Sequence, residues 1–156
     1  MENRFLAPNG MYTNLGLMMS DQCPWEIELY KDSTYLETLK GSAPSQIIKT
    51  VGRISAIRRE IADEQDGGLM KFPEMAVSEA VLNAVSHRSY CEECPTMVNV
   101  SSNRVVITSP GGHVSLGQDY GNRNRNPALA KILIEMGFRN MTIKGIPGIV
   151  QSYKRS

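Results

Sequence analysis

The segment between residues 42 and 62 constrains the fold most, because its apolar residues follow a helical spacing. Six aliphatic side chains recur at steps of mostly three and four residues: Ile47, Ile48, Val51, Ile54, Ile57 and Ile61. Arg and Glu residues lie around this stripe, which is the pattern of an amphipathic helix with one buried face. A long helix of this kind must pack against another layer of secondary structure. The sequence therefore predicts a layered domain.

Other segments predict three shorter helices and four strands. The strands are predicted at 25–30, 35–39, 97–101 and 104–108, and the helices at 13–19, 73–87 and 127–136. Thr13 or Asn14 would cap the first helix, and Pro73 suits the first turn of the second. Asn126 would cap the last helix, with Pro127 as its first residue. Helices interleaved with strand pairs predict an α+β domain, a two-layer sandwich with helices on one face of a mixed, mainly antiparallel sheet.

Length and composition predict one globular domain. The chain has 156 residues, 41% hydrophobic, with a net charge of +1. This balance argues against a domain whose main role is to grip a nucleic-acid backbone. No apolar run approaches the ~18 residues of a membrane span, and three cysteines are too few for a disulfide framework, so we expect a cytoplasmic protein. We expect residues 1–12 to be a flexible lead-in and residues 13–156 to be the domain.

Five short motifs occur in order along nearly the whole chain. Residues 72–90 are FPEMAVSEAVLNAVSHRSY, residues 106–112 are VITSPGG, residues 125–130 are RNPALA and residues 145–147 are GIP, after an upstream segment at 13–24. This series resembles the C-terminal, ATPase-like half of the bacterial RecG-related transcriptional regulators. The resemblance implies a degenerate form of the fold shared by the gyrase, heat-shock chaperone and histidine-kinase ATPases.

The resemblance also implies the partners. Such regulators carry an upstream Schlafen-like DNA- or RNA-binding domain and often a downstream winged helix. We therefore expect the chain to be a fragment of a longer regulator. Its expected partners are the other domains of that protein, DNA through the upstream domain, and a second copy in a homodimer, but no membrane.

Glu79 and Asn83 are the candidate catalytic pair. They lie four positions apart on a predicted helix, so both project from one face. The resemblance implies that Glu79 polarises the attacking water and that Asn83 supplies an oxygen to Mg²⁺, the chemistry of an ATPase. The alternative is a solvated Glu beside an Asn that packs against a neighbouring helix.

The positions expected to hold the nucleotide are eroded. Ser109 stands where the ATPases carry the Asp that accepts the adenine amino group, and serine has no charge. Ile143 stands where the family has the first glycine of its phosphate loop, and a β-branched residue resists positive φ. The glycines that remain for a cofactor site are Gly111, Gly112, Gly145 and Gly148. ATP with Mg²⁺ is the cofactor that the resemblance implies, held weakly if at all.

Basic residues near these motifs are candidate phosphate contacts: Arg88, Arg123, Arg125 and Lys144. Each has a structural alternative. His87 and Arg88 would favour the negative end of a helix dipole, and Arg125 would bridge at the start of a helix. Lys144 would be solvated.

The cysteines allow a metal alternative. His87, Cys91 and Cys94 have the spacing H-x₃-C-x₂-C, and Cys23 would be a fourth zinc ligand. The second C-x-x-C of a zinc ribbon is missing, so a loop with free thiols is the simpler interpretation. A redox pair is a further alternative.

Three hypotheses for function follow. The preferred one is a regulatory or interaction module of a DNA-associated regulator with a degenerate nucleotide site. The second is ATP hydrolysis through Glu79, and the third is direct nucleic-acid binding through Arg123, Arg125, Lys144 and the basic residues at 154–155. No G-x-x-x-x-G-K-[ST] loop is present, so the chain is not itself a helicase motor.

Overall fold

The structure, a computed structural model, describes residues 4–64, 73–111 and 125–138. Its helices are α1 (Asn14–Met18), α2 (Ala43–Glu64), α3 (Glu74–Ser86) and α4 (Pro127–Leu133), and a π-helical turn follows at Ile134–Phe138. Its strands are β1 (Ile27–Lys31), β2 (Thr34–Leu39), β3 (Thr96–Val100) and β4 (Val105–Thr108). Every helix and strand predicted within these residues is confirmed, with ends that differ by a few positions.

The four strands form one mixed sheet in the order β2-β1-β3-β4. The two hairpins, β1 with β2 and β3 with β4, are antiparallel. The central pair, β1 with β3, is parallel, and Leu29 lies opposite Val98. A parallel pair needs a long crossover connection, which α2 and α3 provide. The sheet confirms the predicted α+β class.

The hydrophobic core lies between the helices and one face of the sheet. Ile27 and Leu29 of β1 and Val98 and Val100 of β3 are at most 2% exposed, while the intervening residues reach the other face. The long helix α2 contributes four fully buried isoleucines: Ile47, Ile54, Ile57 and Ile61. The fold therefore has two layers, a sheet and the helices that cover one of its faces.

The apolar stripe of α2 is narrower than its sequence pattern indicates. Ile48 is 64% exposed, and Val51 is only half-buried. The buried face instead includes Thr50, whose hydroxyl donates to the carbonyl of Gln46 at 2.7 Å. Ile47 and Ile48 are adjacent, so they point about 100° apart on a helix and only one can face the core. The prediction that Ile48 belongs to the stripe was wrong.

Helix α3 is buried on a wide face. Ala76 and Val81 lie in the core, whereas Ala80 and Ala84 are only half-buried. Larger residues complete its buried face: Val77, Leu82 and Val85. Pro73 precedes the helix and does not lie in its first turn.

Residues 4–12, predicted to be a flexible lead-in, form a tight turn against α1. Leu6 bridges to Tyr12, and the Thr13 hydroxyl accepts from the N–H of Gly16 as the predicted N-cap. A Cβ on Gly16 would lie 2.1 Å from the carbonyl oxygen of Phe5, so this packing requires glycine. The division into a lead-in and a domain stays a prediction. None of the helices that the structure describes has both the length and the apolar character that crossing a membrane requires.

Candidate nucleotide site at helix α3

Helix α3 carries the candidate catalytic pair. Glu79 is 5% exposed and Asn83 is half-buried, and the Asn83 side-chain nitrogen donates to Glu79 Oε1 at 3.3 Å. The two side chains therefore share a face of the helix and contact one another. Their roles in water activation and Mg²⁺ binding stay predictions.

The donor set of this pair suits Mg²⁺ in part. Because the amide nitrogen of Asn83 is directed at Glu79, its amide oxygen is the atom left to ligate a cation. One amide oxygen and one carboxylate would complement a nucleotide phosphate around Mg²⁺, which keeps several waters. When bound, Mg²⁺ with ATP would supply the electrophilic phosphate.

The C-terminal end of α3 is capped by residues of the sequence motifs. A helix leaves its last four carbonyls without partners inside the helix, here those of residues 83–86. The carbonyl of Asn83 accepts from the backbone N–H of His87 at 2.9 Å. The carbonyl of Val85 accepts from the hydroxyl of Tyr90 at 3.0 Å. Tyr90 also packs edge-on against Trp25, and burial raises its pKa.

Ser109, which directly follows β4, caps the carbonyl of Ala84 in α3. Its hydroxyl donates to the carbonyl of Ala84 at 2.8 Å, and its oxygen lies 3.4 Å from the hydroxyl of Thr96. Because the single hydrogen of Ser109 is used on Ala84, the Thr96 hydroxyl must donate to Ser109. The residue predicted at the adenine position is thus bonded to α3 and to β3.

Asn126 caps the final carbonyl from the start of α4. Its side-chain nitrogen donates to the backbone carbonyl of Ser86 at 2.8 Å and to the backbone carbonyl of Arg88 at 2.9 Å. Asn126 occupies the predicted N-cap position of α4, but its side chain makes no capping bond there. The predicted capping bond was wrong because the amide reaches a neighbouring helix instead. We call the side chains of Tyr90, Ser109 and Asn126 the α3 clasp.

Arg88 is a buried cation that holds the loop between α3 and β3. It is 3% exposed, and its guanidinium donates to Thr96 Oγ1 at 3.0 Å, to the carbonyls of Glu26 and Glu92 at 3.4 Å, and to the carbonyl of Cys94. All four acceptors are neutral, and burial lowers the pKa of Arg88. The guanidinium therefore binds internal oxygens. We had predicted that it would contact either an anion or the negative end of the α3 dipole.

Arg125 closes the same region from outside. Its guanidinium donates to the carbonyl of Gly111, and the backbone N–H of Ser89 donates to the carbonyl of Pro110 at 2.8 Å. Gly111 has a φ of 119°, and a Cβ there would lie 1.9 Å from Arg125 Nη1. The turn after β4 is thus bound both to the end of α3 and to the start of α4.

The remaining predicted contacts lie outside the described residues: Gly112, Arg123, Lys144, Gly145 and Gly148. Their roles as phosphate or cofactor contacts stay predictions.

The cysteines do not gather into a metal site among residues 4–64, 73–111 and 125–138. No three His, Cys, Asp or Glu side chains come together there in a way that could hold a metal ion. Cys23 is buried, whereas Cys91 and Cys94 are exposed. The zinc alternative therefore has no support in this part of the chain.

Sequence reasoning missed Thr96 and the capping role of Tyr90. Thr96 is 1% exposed and lies between Arg88 and Ser109. A threonine at the start of a strand gives no local signal of this role. The tyrosine was part of a recognised motif, but its acceptor lies on the preceding helix.

Comparison with known proteins supports the ATPase-like assignment. Residues 93–156 match a protein-family model described as "Putative ATP-dependent DNA helicase recG C-terminal". This match indicates an ATPase-like domain similar to the C-terminal domain of RecG-related proteins. It includes Ser109 and Asn126, whereas Glu79 and Asn83 precede it.

The fold is similar to that of a solved bacterial protein. The crystal structure of the DIP2311 protein from Corynebacterium diphtheriae matches with a TM-score of 0.71 and 20% identity, over 95% of this chain and 28% of that chain. At this identity the likeness shows the fold alone. The chain thus spans about 28% of the length of this relative. No curated protein matches this chain.

Proposed function

We propose that this chain is a regulatory or interaction module of a bacterial DNA-associated regulator, with a degenerate nucleotide site that does not hold ATP tightly. The observation that carries the proposal is the α3 clasp. Ser109, at the position where the resemblance places adenine recognition, is bonded to the end of α3. DNA contact would come from another domain of a longer protein.

The bonds of Ser109 oppose adenine recognition. Its hydrogen is donated to the carbonyl of Ala84 at 2.8 Å, and one of its two lone pairs accepts from the hydroxyl of Thr96. A single lone pair is therefore left to accept from an adenine amino group. A neutral hydroxyl also gains less from the amino group than a carboxylate does.

The basic residues are committed in a similar way. Arg88 would have to release four internal oxygens to reach an anion, and it is 97% buried. Arg125 is exposed but bonded to Gly111. Contact of Arg88 with phosphate would therefore open the loop between α3 and β3, and transfer of the Arg125 bond from Gly111 to phosphate would open the turn after β4.

Titration of the whole chain with ATP and Mg²⁺, followed by backbone NMR shifts, tests the proposal. We expect no saturable shifts at Glu79 and Asn83 below millimolar nucleotide. Saturable binding in the micromolar range would overturn it, if Asn83→Ala abolishes that binding and Asn103→Ala, at an exposed turn position, preserves it.

ATP hydrolysis is the second candidate function, favoured by the contact between Asn83 and Glu79. When a nucleotide phosphate is present, the carboxylate can act as a general base and the amide oxygen can ligate Mg²⁺. Phosphate release should then be lost in Glu79→Gln and kept in Glu74→Gln, an exposed acid on the same helix. Equal release from the wild type and Glu79→Gln would exclude hydrolysis through this residue.

A further inference from the structure

The loop between α3 and β3 carries two accessible thiols. Cys91 and Cys94 are both exposed free cysteines with the spacing C-x-x-C. Neither belongs to the α3 clasp or to the pair on α3. Both cysteines therefore lie outside the set of residues predicted to hold a nucleotide.

The loop is folded around the guanidinium of Arg88. One nitrogen of that group, Nη2, donates to the carbonyl oxygens of both Glu92 and Cys94. The backbone N–H of Glu92 also donates to the carbonyl of Ser89 at 3.4 Å. A segment that curls in this way is not extended, and a curl is what a disulfide between thiols three positions apart needs, because its Cα atoms lie about 4.4–6.8 Å apart.

The third cysteine provides an internal contrast. Cys23 is 8% exposed, and its sulfur lies 3.6 Å from the carbonyl of Trp25. Burial raises the pKa of its thiol. Because the thiolate is the reactive form and must be reached by its partner, Cys23 is protected while Cys91 and Cys94 are open to reagents.

We propose that Cys91 and Cys94 form a thiol–disulfide exchange site for low-molecular-weight disulfides such as glutathione disulfide. The thiolate of one cysteine attacks a sulfur of glutathione disulfide, which forms a mixed disulfide and releases one glutathione thiolate. The other cysteine then attacks the protein sulfur of that mixed disulfide and releases the second glutathione.

The exchange is balanced in atoms and electrons. Two protein thiols lose two protons and two electrons and become one intramolecular disulfide, and glutathione disulfide becomes two glutathione thiols. No other oxidant is required. Reversible pairs of this kind are the usual form of disulfide in a reducing compartment.

Mass spectrometry of the whole chain tests the site. The reduced protein is equilibrated with glutathione disulfide, the remaining thiols are blocked with N-ethylmaleimide under unfolding conditions, and peptides are mapped. We expect a Cys91–Cys94 disulfide, seen as a loss of two hydrogens, with the maleimide on Cys23. A thiol reductant should reverse it.

Two variants separate the site from general thiol oxidation. Cys94→Ser should stop at a glutathione mixed disulfide on Cys91, because the resolving thiol is absent. Cys23→Ser should form the Cys91–Cys94 disulfide as the wild type does. Maleimide on both Cys91 and Cys94 after equilibration with excess glutathione disulfide would overturn the proposal, and so would stable mixed disulfides on both residues of the wild type.

Discussion

The side-chain nitrogen of Asn126 lies 2.8 Å from the carbonyl oxygen of Ser86, the last residue of helix α3. This bond joins the N-cap residue of α4 to the last residue of α3, forty positions earlier. The same amide also reaches the carbonyl of Arg88 at 2.9 Å. Asn126 therefore acts as a C-cap for α3 across the fold, and the α3 clasp depends on how α4 is placed.

Asn126→Ala should destabilise the fold by about 2–4 kcal/mol, because two carbonyls lose their donor. Asn126→Asp should cost at least as much, since a carboxylate is only an acceptor and would face two carbonyl oxygens. Urea unfolding measures the loss. Asn103→Ala, at an exposed turn position, should stay within about 0.5 kcal/mol of the wild type. Equal stability of all these variants would show that the side chain of Asn126 contributes nothing to the clasp.

Gly111→Ala should destabilise by about 1–3 kcal/mol, because a φ of 119° is strained for any residue with a Cβ. Part of the loss should come from the clash with Arg125 Nη1, which would lie 1.9 Å from the new Cβ. A double-mutant cycle separates the two effects. Gly111→Ala should cost less when Arg125→Ala is already present. An unchanged cost would mean that backbone strain alone is responsible.

Local periodicity predicted the elements of this fold, but not the partners of their polar residues. The stripe on α2 and the alternation in β1 follow from neighbours three or two positions away, which the sequence displays directly. The bonds of Ser109 and Asn126 reach α3 from 25 and 40 positions away. Such pairings depend on tertiary packing, and no short pattern encodes them.

The same distinction explains the candidate site. The spacing of Glu79 and Asn83 predicts one shared face, and their side chains do contact one another. The burial of Glu79 could not be predicted, because a carboxylate is normally exposed to solvent. The structure nevertheless leaves it only 5% exposed. A resemblance to a family identifies positions of interest, whereas only the packing shows what they bind.

Arg88→Met should destabilise by about 2–4 kcal/mol, because the buried carbonyls and the Thr96 hydroxyl lose a charged donor. Arg88→Lys should recover little, since an ammonium cannot reproduce the planar fork. Denaturant unfolding of both variants is the measurement. The matched control is Arg59→Met, at an exposed position of α2. A loss in Arg59→Met as large as in Arg88→Met would contradict the assignment.

Stability should fall at alkaline pH through Cys23. Burial raises the pKa of its thiol above the ordinary value of about 9, so the unfolded chain ionises first as the pH rises. The stability from the neutral buried thiol is complete below that value and is lost as the pH rises from it through the raised pKa of the folded state. The urea midpoint should therefore drop as the pH rises above about 9, and less so in Cys23→Ala. A residual drop is expected because the pKa of Tyr90 is raised in the same direction.

Ser109→Asp tests whether an ATPase-type carboxylate alone can restore nucleotide binding. The carboxylate cannot donate to the carbonyl of Ala84, so the change should cost about 1–3 kcal/mol, more than the roughly 1 kcal/mol expected for Ser109→Ala. Ser109→Asn should cost least, because its amide nitrogen can still donate to that carbonyl. Urea unfolding ranks the three variants, and ATP titration with Mg²⁺ should show no gain in any of them. Saturable ATP binding by Ser109→Asp at unchanged stability would mean that the hydroxyl is free to face a nucleotide and that the clasp does not close the site.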